Sequence, residues 1–186
     1  MRLDRNTLIS FLLLILIASL YRAMPGRPWG FAPQLAMAVF GGAMLKDKKL
    51  AFLLPVLSMF ISDLLYQILY INGVGEIPGF YSGQVTNYIL FAAMTIIGFF
   101  VNPRKLTHIA ASSFAAPIIY FFASNTIVWA GGGGLQRPKT FQGLLMCYSD
   151  GLPFLQGSLL GTLFFSTVLF GGAFLLQKYF SRQHAH

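Results

Sequence analysis

Residues 50–71 read LAFLLPVLSMFISDLLYQILYI, an apolar run of the length needed to cross a bilayer, for which about 20 mostly apolar residues suffice. The run carries one carboxylate, Asp63. At about 1.5 Å per residue, Asp63 sits roughly 20 Å from the start of the helix, inside a hydrocarbon layer about 30 Å thick. A charge at that depth requires a partner. Arg22, at the end of the preceding run LISFLLLILIASLYR, reaches a similar depth, and pairing the two lowers the cost of burying either.

The rest of the chain agrees with a membrane reading. Of its 186 residues, 56% are hydrophobic, 16% aromatic and 10% charged, against roughly 25% charged in soluble domains. Runs bounded by Pro, Gly and charge place helices at 7–23, 29–45, 50–71, 86–102, 106–130 and 155–177. The fold class expected is therefore all-α integral membrane, a compact six-transmembrane-helix bundle forming one membrane domain over 1–186. The segment opening PWGFAPQ is short for a span, so its outer end is expected to be irregular. The basic start and first run resemble a signal peptide, but Tyr21, Arg22 and Ala23 follow where a small-residue cleavage site would stand. The run is read as a retained span.

The formal charge is +8, from 13 Lys and Arg against 5 Asp and Glu. With both termini on one side, that side holds Arg2, Arg5, Lys46, Lys48, Lys49, Arg104, Lys105, Lys178 and Arg182. The other holds Arg22, Arg27, Arg137 and Lys139. The positive-inside rule then makes both termini cytoplasmic. Charges at helix ends suit topology and lipid headgroups, and no basic face with interleaved aromatics points to nucleic acid.

Two outer segments, 74–85 and 131–154, are long and rich in Gly, Pro and aromatics. They read as caps over an outward-facing pocket, with the Gly131–Gly134 run as a hinge. Gln67 and Tyr70 share a helical face with Asp63, and Tyr66 flanks it. Depth counting brings Trp29, Gln34, Asn87, Tyr88, Ser124, Asn125, Trp129, Gln156 and Ser158 to the same level. Aromatic walls with a few convergent polar groups are the general form of a small-molecule site. The substrate-binding set expected is thus Arg22, Trp29, Gln34, Asp63, Gln67, Tyr70, Asn87, Asn125, Trp129 and Gln156. Interfacial aromatic belts and helix-to-helix amide bonds are the competing explanations for single members.

Catalytic signals are sparse. His108 lies near the cytoplasmic end, and His184 and His186 lie in the tail, all far in depth from Asp63. No zinc-protease, nucleophile-elbow or phosphate-loop motif occurs. No catalytic residue, metal or cofactor is expected. Cys147 is the single cysteine; it is a possible ligand contact in the outer cap, and with Asp150 it carries the alternative of a membrane-embedded enzyme. A non-catalytic assembly or scaffold protein is the other alternative. Gly41 with Gly42, and Gly171 with Gly172, are expected to permit close helix approach.

The block RAMPGRPWGFAPQLAMAVFGGAMLKDKKLAFLLPVLSMFISDLLY, residues 22–66, resembles the matching part of the S components, the membrane-embedded substrate-binding subunits of energy-coupling-factor vitamin transporters. The shared pattern is a first helix ending in Arg, a Pro-containing outer loop, a second helix with small residues at its inner end, a tight basic turn, and a third helix reaching an S-D-L stretch. The resemblance implies uptake of a vitamin or similar micronutrient across the bacterial cytoplasmic membrane. It also implies a pocket near the outer face at Arg22, Asp63 and the loop from Arg27 to Gln34, gated by the caps, with a coupling subunit and two ATPases as partners. A corrin such as cobalamin would suit the long cap and take Cys147 as a cobalt ligand.

Overall fold

The computed structural model describes residues 5–183, with side chains described over 9–178. Arg2, His184 and His186, and the side chains of Arg5 and Arg182, lie outside the described residues. Among the described residues six helices follow one another: α1 Arg5–Ala23, α2 Gln34–Met44, α3 Lys48–Ile71, α4 Gln84–Phe99, α5 Leu106–Gly131 and α6 Phe141–Gln183. Among the described residues there is no strand.

Among the described residues three helices are long and apolar enough to cross a membrane, α3, α5 and α6 over Phe141–Lys178, whereas α2, α4 and the stretch Ile9–Ala23 of α1 are shorter apolar helices. Large apolar side chains cover the exterior as well as filling the core, and several polar groups are enclosed with them. On α1, Ile9, Leu12, Leu13, Leu16, Ile17 and Leu20 are exposed, while Ser19 on the same helix is buried. Gln34, Ser58, Ser62, Asp63, Thr95 and Thr162 are likewise interior.

The short α2 is central and packs on α3, α4, α5 and α6; Ala36, Met37, Ala38 and Val39 are fully enclosed. Its contact with α4 is backbone to backbone. A Cβ on Gly42 would lie 2.3 Å from the Thr95 carbonyl oxygen, and one on Gly98 2.3 Å from that of Val39. Gly41 packs on Ala51 and Leu54, but Gly171 and Gly172 face nothing within 4 Å among the described residues, so no close approach at that pair is found among them.

Several boundaries differ from those expected. The second helix starts at Gln34, not 29, because Gly30 takes a left-handed backbone (φ 76) and Pro33 stands at the N-cap. The third starts at Lys48, where the Asp47 carboxylate accepts the Lys49 and Leu50 amides at 2.9 and 3.4 Å, an N-cap. The fourth runs 84–99 and not 86–102, following left-handed Gly83 and stopping before Asn102 and Pro103. The largest correction concerns the cap at 131–154. Left-handed Gly132 ends α5, and the Thr140 hydroxyl accepts the Gly143 amide at 3.1 Å, so α6 begins at Phe141 instead of 155. Only 132–140 remains as loop. With 43 residues, α6 extends about 65 Å, twice the roughly 30 Å hydrocarbon layer. The first outer segment is a loop over 72–83.

Candidate functional site

Asp63 lies 2% exposed on α3 and is surrounded by donors from two other helices. Arg22 of α1 pairs with one carboxylate oxygen and donates to the Ser62 hydroxyl at 2.5 Å. The Gln84 amide and the Tyr88 hydroxyl of α4 donate to the other oxygen, the latter at 2.9 Å. Gln84 and Tyr88 are one turn apart and share a face, so one carboxylate ties α1, α3 and α4 together. The Tyr66 hydroxyl donates to the Arg22 carbonyl oxygen at 2.5 Å, and the guanidinium stands 5.5 Å from the Tyr66 ring centre, within cation–π range.

The network continues toward the centre. The Ser19 hydroxyl reaches the Ser58 carbonyl oxygen at 2.9 Å, and the Gln34 amide reaches the Ser58 hydroxyl at 3.0 Å. Gln34 is therefore a buried strut between α2 and α3.

The 72–83 loop is laid over Asp63. A Cβ on Gly79 would lie 1.7 Å from the Asp63 carbonyl oxygen, so only glycine permits this crossing. The Gln67 side-chain oxygen accepts the Gly79 and Phe80 amides at 3.1 and 3.4 Å. The loop then delivers Tyr81, whose hydroxyl accepts from the Asn87 amide; the Tyr120 hydroxyl donates to the Asn87 oxygen at 3.4 Å. Burial raises the Tyr81 phenol above its ordinary pKa and the Asp63 carboxylate pushes the same way, against the opposing pull of Arg22 and the Asn87 bond. Tyr81 is a neutral hydroxyl.

Beside this loop a cleft of about 280 Å³ opens between α4 and α5, lined by Tyr81, Ser82, Thr86, Asn87, Ser124 and the backbone at Gly131 and Gly133, with Leu90, Ile127 and Val128 as its apolar wall. Among the described residues no charged side chain lines it. Thr86 and Asn87 lie on the flank of α4 next to the face that holds Asp63, so the buried network braces one wall of the cleft from behind.

The residues expected to form one pocket divide among several places. Of the substrate-binding set only Asn87 lines the cleft; Arg22, Gln34 and Asp63 belong to the buried network, and Gln67 holds the loop. Tyr70 is 46% exposed on α3. Trp29 is 70% exposed and packs in a tilted arrangement against Phe154 of α6, ring centres 5.0 Å apart, and Gln156 is exposed nearby. Asn125, Trp129 and Cys147 lie along the α5–α6 contact. Asn125 donates to the Phe121 carbonyl oxygen at 2.8 Å, the Trp129 indole to that of Pro138 at 2.8 Å, and the buried Cys147 thiol to that of Asn125 at 3.5 Å. Asp150 pairs with Arg137 at 2.8 Å. Cys147 and Asp150 thus each have their own partner. Among the described residues no group of three His, Cys, Asp or Glu is placed to hold a metal.

Sequence reading missed Gln84, Tyr81, Ser82 and Thr86. The first three fell inside a presumed loop, and the available signal was the spacing of Gln84 and Tyr88, two polar residues one turn apart.

Fold and site together define a class: an all-helical protein with an apolar exterior, a mostly apolar core crossed by a buried polar network that an ion pair braces, and an uncharged cleft beside that brace. The sequence profile of DUF6580, a family of unknown function, matches residues 3–184, and the chain belongs to that family. No curated protein and no solved structure matches the chain.

Proposed function

We propose that the chain is a membrane-embedded binding protein for a small uncharged micronutrient, working as the substrate-binding subunit of an uptake system in the manner of the S components. In this reading the six helices cross the bacterial cytoplasmic membrane, with both termini cytoplasmic and the Asp63 end outward. The carrying observation is the cleft between α4 and α5, which converges three side-chain hydroxyls, one amide and a phenol on an apolar wall. Such a mixture is what orients a small ligand.

At about 280 Å³ the cleft lies just below the range of about 300–1,000 Å³ for ligand sites, which favours a vitamin built on one or two rings. A corrin would require the 72–83 and 132–140 segments to separate. Energy for transport would come from a coupling subunit and ATPases.

The test begins with detergent extraction of the full chain from washed membranes, followed by mass spectrometry of co-purified small molecules and thermal-shift screening against a vitamin panel. One bound compound is expected, with Asn87→Leu and Ser124→Leu weakening it at least tenfold. An empty protein that no vitamin stabilises would overturn the reading.

A further inference from the structure

We propose that the end of the bundle opposite Asp63 carries a site for one anionic phospholipid, with an acyl chain against α6 and the headgroup phosphate on Arg104. The proposal rests on the membrane reading above and is independent of the micronutrient. At this end a second cleft, about 230 Å³, is lined by Ala43 and Met44 from the close of α2, Pro103 and Arg104 from the turn between α4 and α5, and Phe170, Phe174 and Gln177 from α6. Its lining joins aliphatic and aromatic side chains to the basic Arg104 and the amide-bearing Gln177, so the cleft has the two-part character of a lipid.

The rim is built rather than loose. The Asn102 side-chain oxygen accepts the Arg104 amide at 3.0 Å, and its carbonyl oxygen accepts the Lys105 amide at 3.0 Å. An Asx turn of this kind holds the local backbone, keeping Arg104 at the mouth of the groove.

Charge selects the sign of the headgroup. The described segments at this end carry Lys46, Lys48, Lys49, Arg104, Lys105 and Lys178 against one acid, Asp47, and Asp47 is occupied in capping α3. At the Asp63 end, Arg22, Arg27, Arg137 and Lys139 face Asp63, Glu76 and Asp150, and both ion pairs found among the described residues are there. The uncompensated positive charge is concentrated beside the groove. A free phosphate would satisfy Arg104 but leave the exposed face of Phe174, 65% accessible, uncovered. A phospholipid covers both.

The experiment is native mass spectrometry of the full chain in detergent, titrated with palmitoyl-oleoyl phosphatidylglycerol, with the phosphatidylcholine of the same chains, and with inorganic phosphate. Retention of phosphatidylglycerol over phosphatidylcholine is expected. Arg104→Gln should lower that retention about fivefold, the effect of one basic residue at an anionic surface, whereas Lys139→Gln at the other end should not. Equal retention of the two lipids, an unchanged Arg104→Gln variant, or full displacement by inorganic phosphate would each overturn the site. A protein that stays membrane-bound yet shows no lipid preference defeats this proposal alone; one that is recovered from washed membranes without detergent defeats the membrane reading with it.

Discussion

Arg22 at the end of α1 pairs with Asp63 in the middle of α3, and the two residues are 19% and 2% exposed. Removing one partner of such a pair strands the other without compensation, which is worth about 3–5 kcal/mol. Asp63→Ala and Arg22→Met should each lower thermal stability in detergent by that order. The double variant Arg22→Met with Asp63→Leu should recover much of the loss, since a well-packed apolar pair of similar volume often equals or exceeds a buried ion pair. Melting curves of the three variants test this, and an Asp63→Ala protein as stable as the parent would refute it.

Gly79 links that pair to the cleft. Because an added methyl would collide with the Asp63 carbonyl oxygen and the Gln67 amide nitrogen, 2.6 Å away, Gly79→Ala should lift the 72–83 loop and carry Tyr81 out of the cleft. Hydrogen exchange of the Phe80 and Tyr81 amides should quicken at least tenfold while α3 stays protected. Unchanged exchange would mean that the loop tolerates the crossing by other means.

The buried charge was legible because a carboxylate in an apolar run admits few explanations, and counting rise per residue suffices to set Arg22 beside it. The glycines were not legible in the same way. Gly157 and Gly161 let the Trp29–Ala32 segment lie on α6, a Cβ on Gly157 meeting the Trp29 carbonyl oxygen at 1.8 Å, but a helical glycine in isolation looks the same whether it faces a loop or nothing. The length of α6 was hidden for a related reason. Gly143, Gly151 and Pro153 read locally as breakers, yet Gly143 accommodates Pro138 and Gly151 accommodates the Asn125 side chain. Tertiary contacts there outweigh a local propensity cost of about 1 kcal/mol per glycine.

The contrast between two glycine pairs separates packing from composition. Gly42→Ala and Gly98→Ala place a methyl against a carbonyl oxygen of the facing helix, and overpacking of this kind costs about 1–3 kcal/mol. Gly171→Ala meets no atom within 4 Å among the described residues and adds helix propensity, so it should raise stability by up to about 1 kcal/mol. Thermal unfolding of the single variants checks both signs, and a destabilised Gly171→Ala would indicate that a second molecule packs on that face of α6.

The 132–140 loop is held at two points of different character. Arg137 forms a two-pronged bond to Asp150 at 2.8 Å on each arm, and that carboxylate raises the guanidinium pKa through its hydrogen bonds first and its charge second. Both side chains are solvent-accessible, so water screens the pair, and Asp150→Asn should leave the melting temperature unchanged. Its effect should instead be local. The other anchor is the Trp129 indole bond to Pro138, and the Lys139 ammonium donates to the Trp129 carbonyl oxygen. With Arg137 released, the backbone after Lys139 should become accessible, and trypsin cleavage there should speed up several-fold; Trp129→Phe combined with Asp150→Asn should speed it further. A cleavage rate unaffected by Asp150→Asn but raised by Trp129→Phe alone would assign the hold on the loop to the indole.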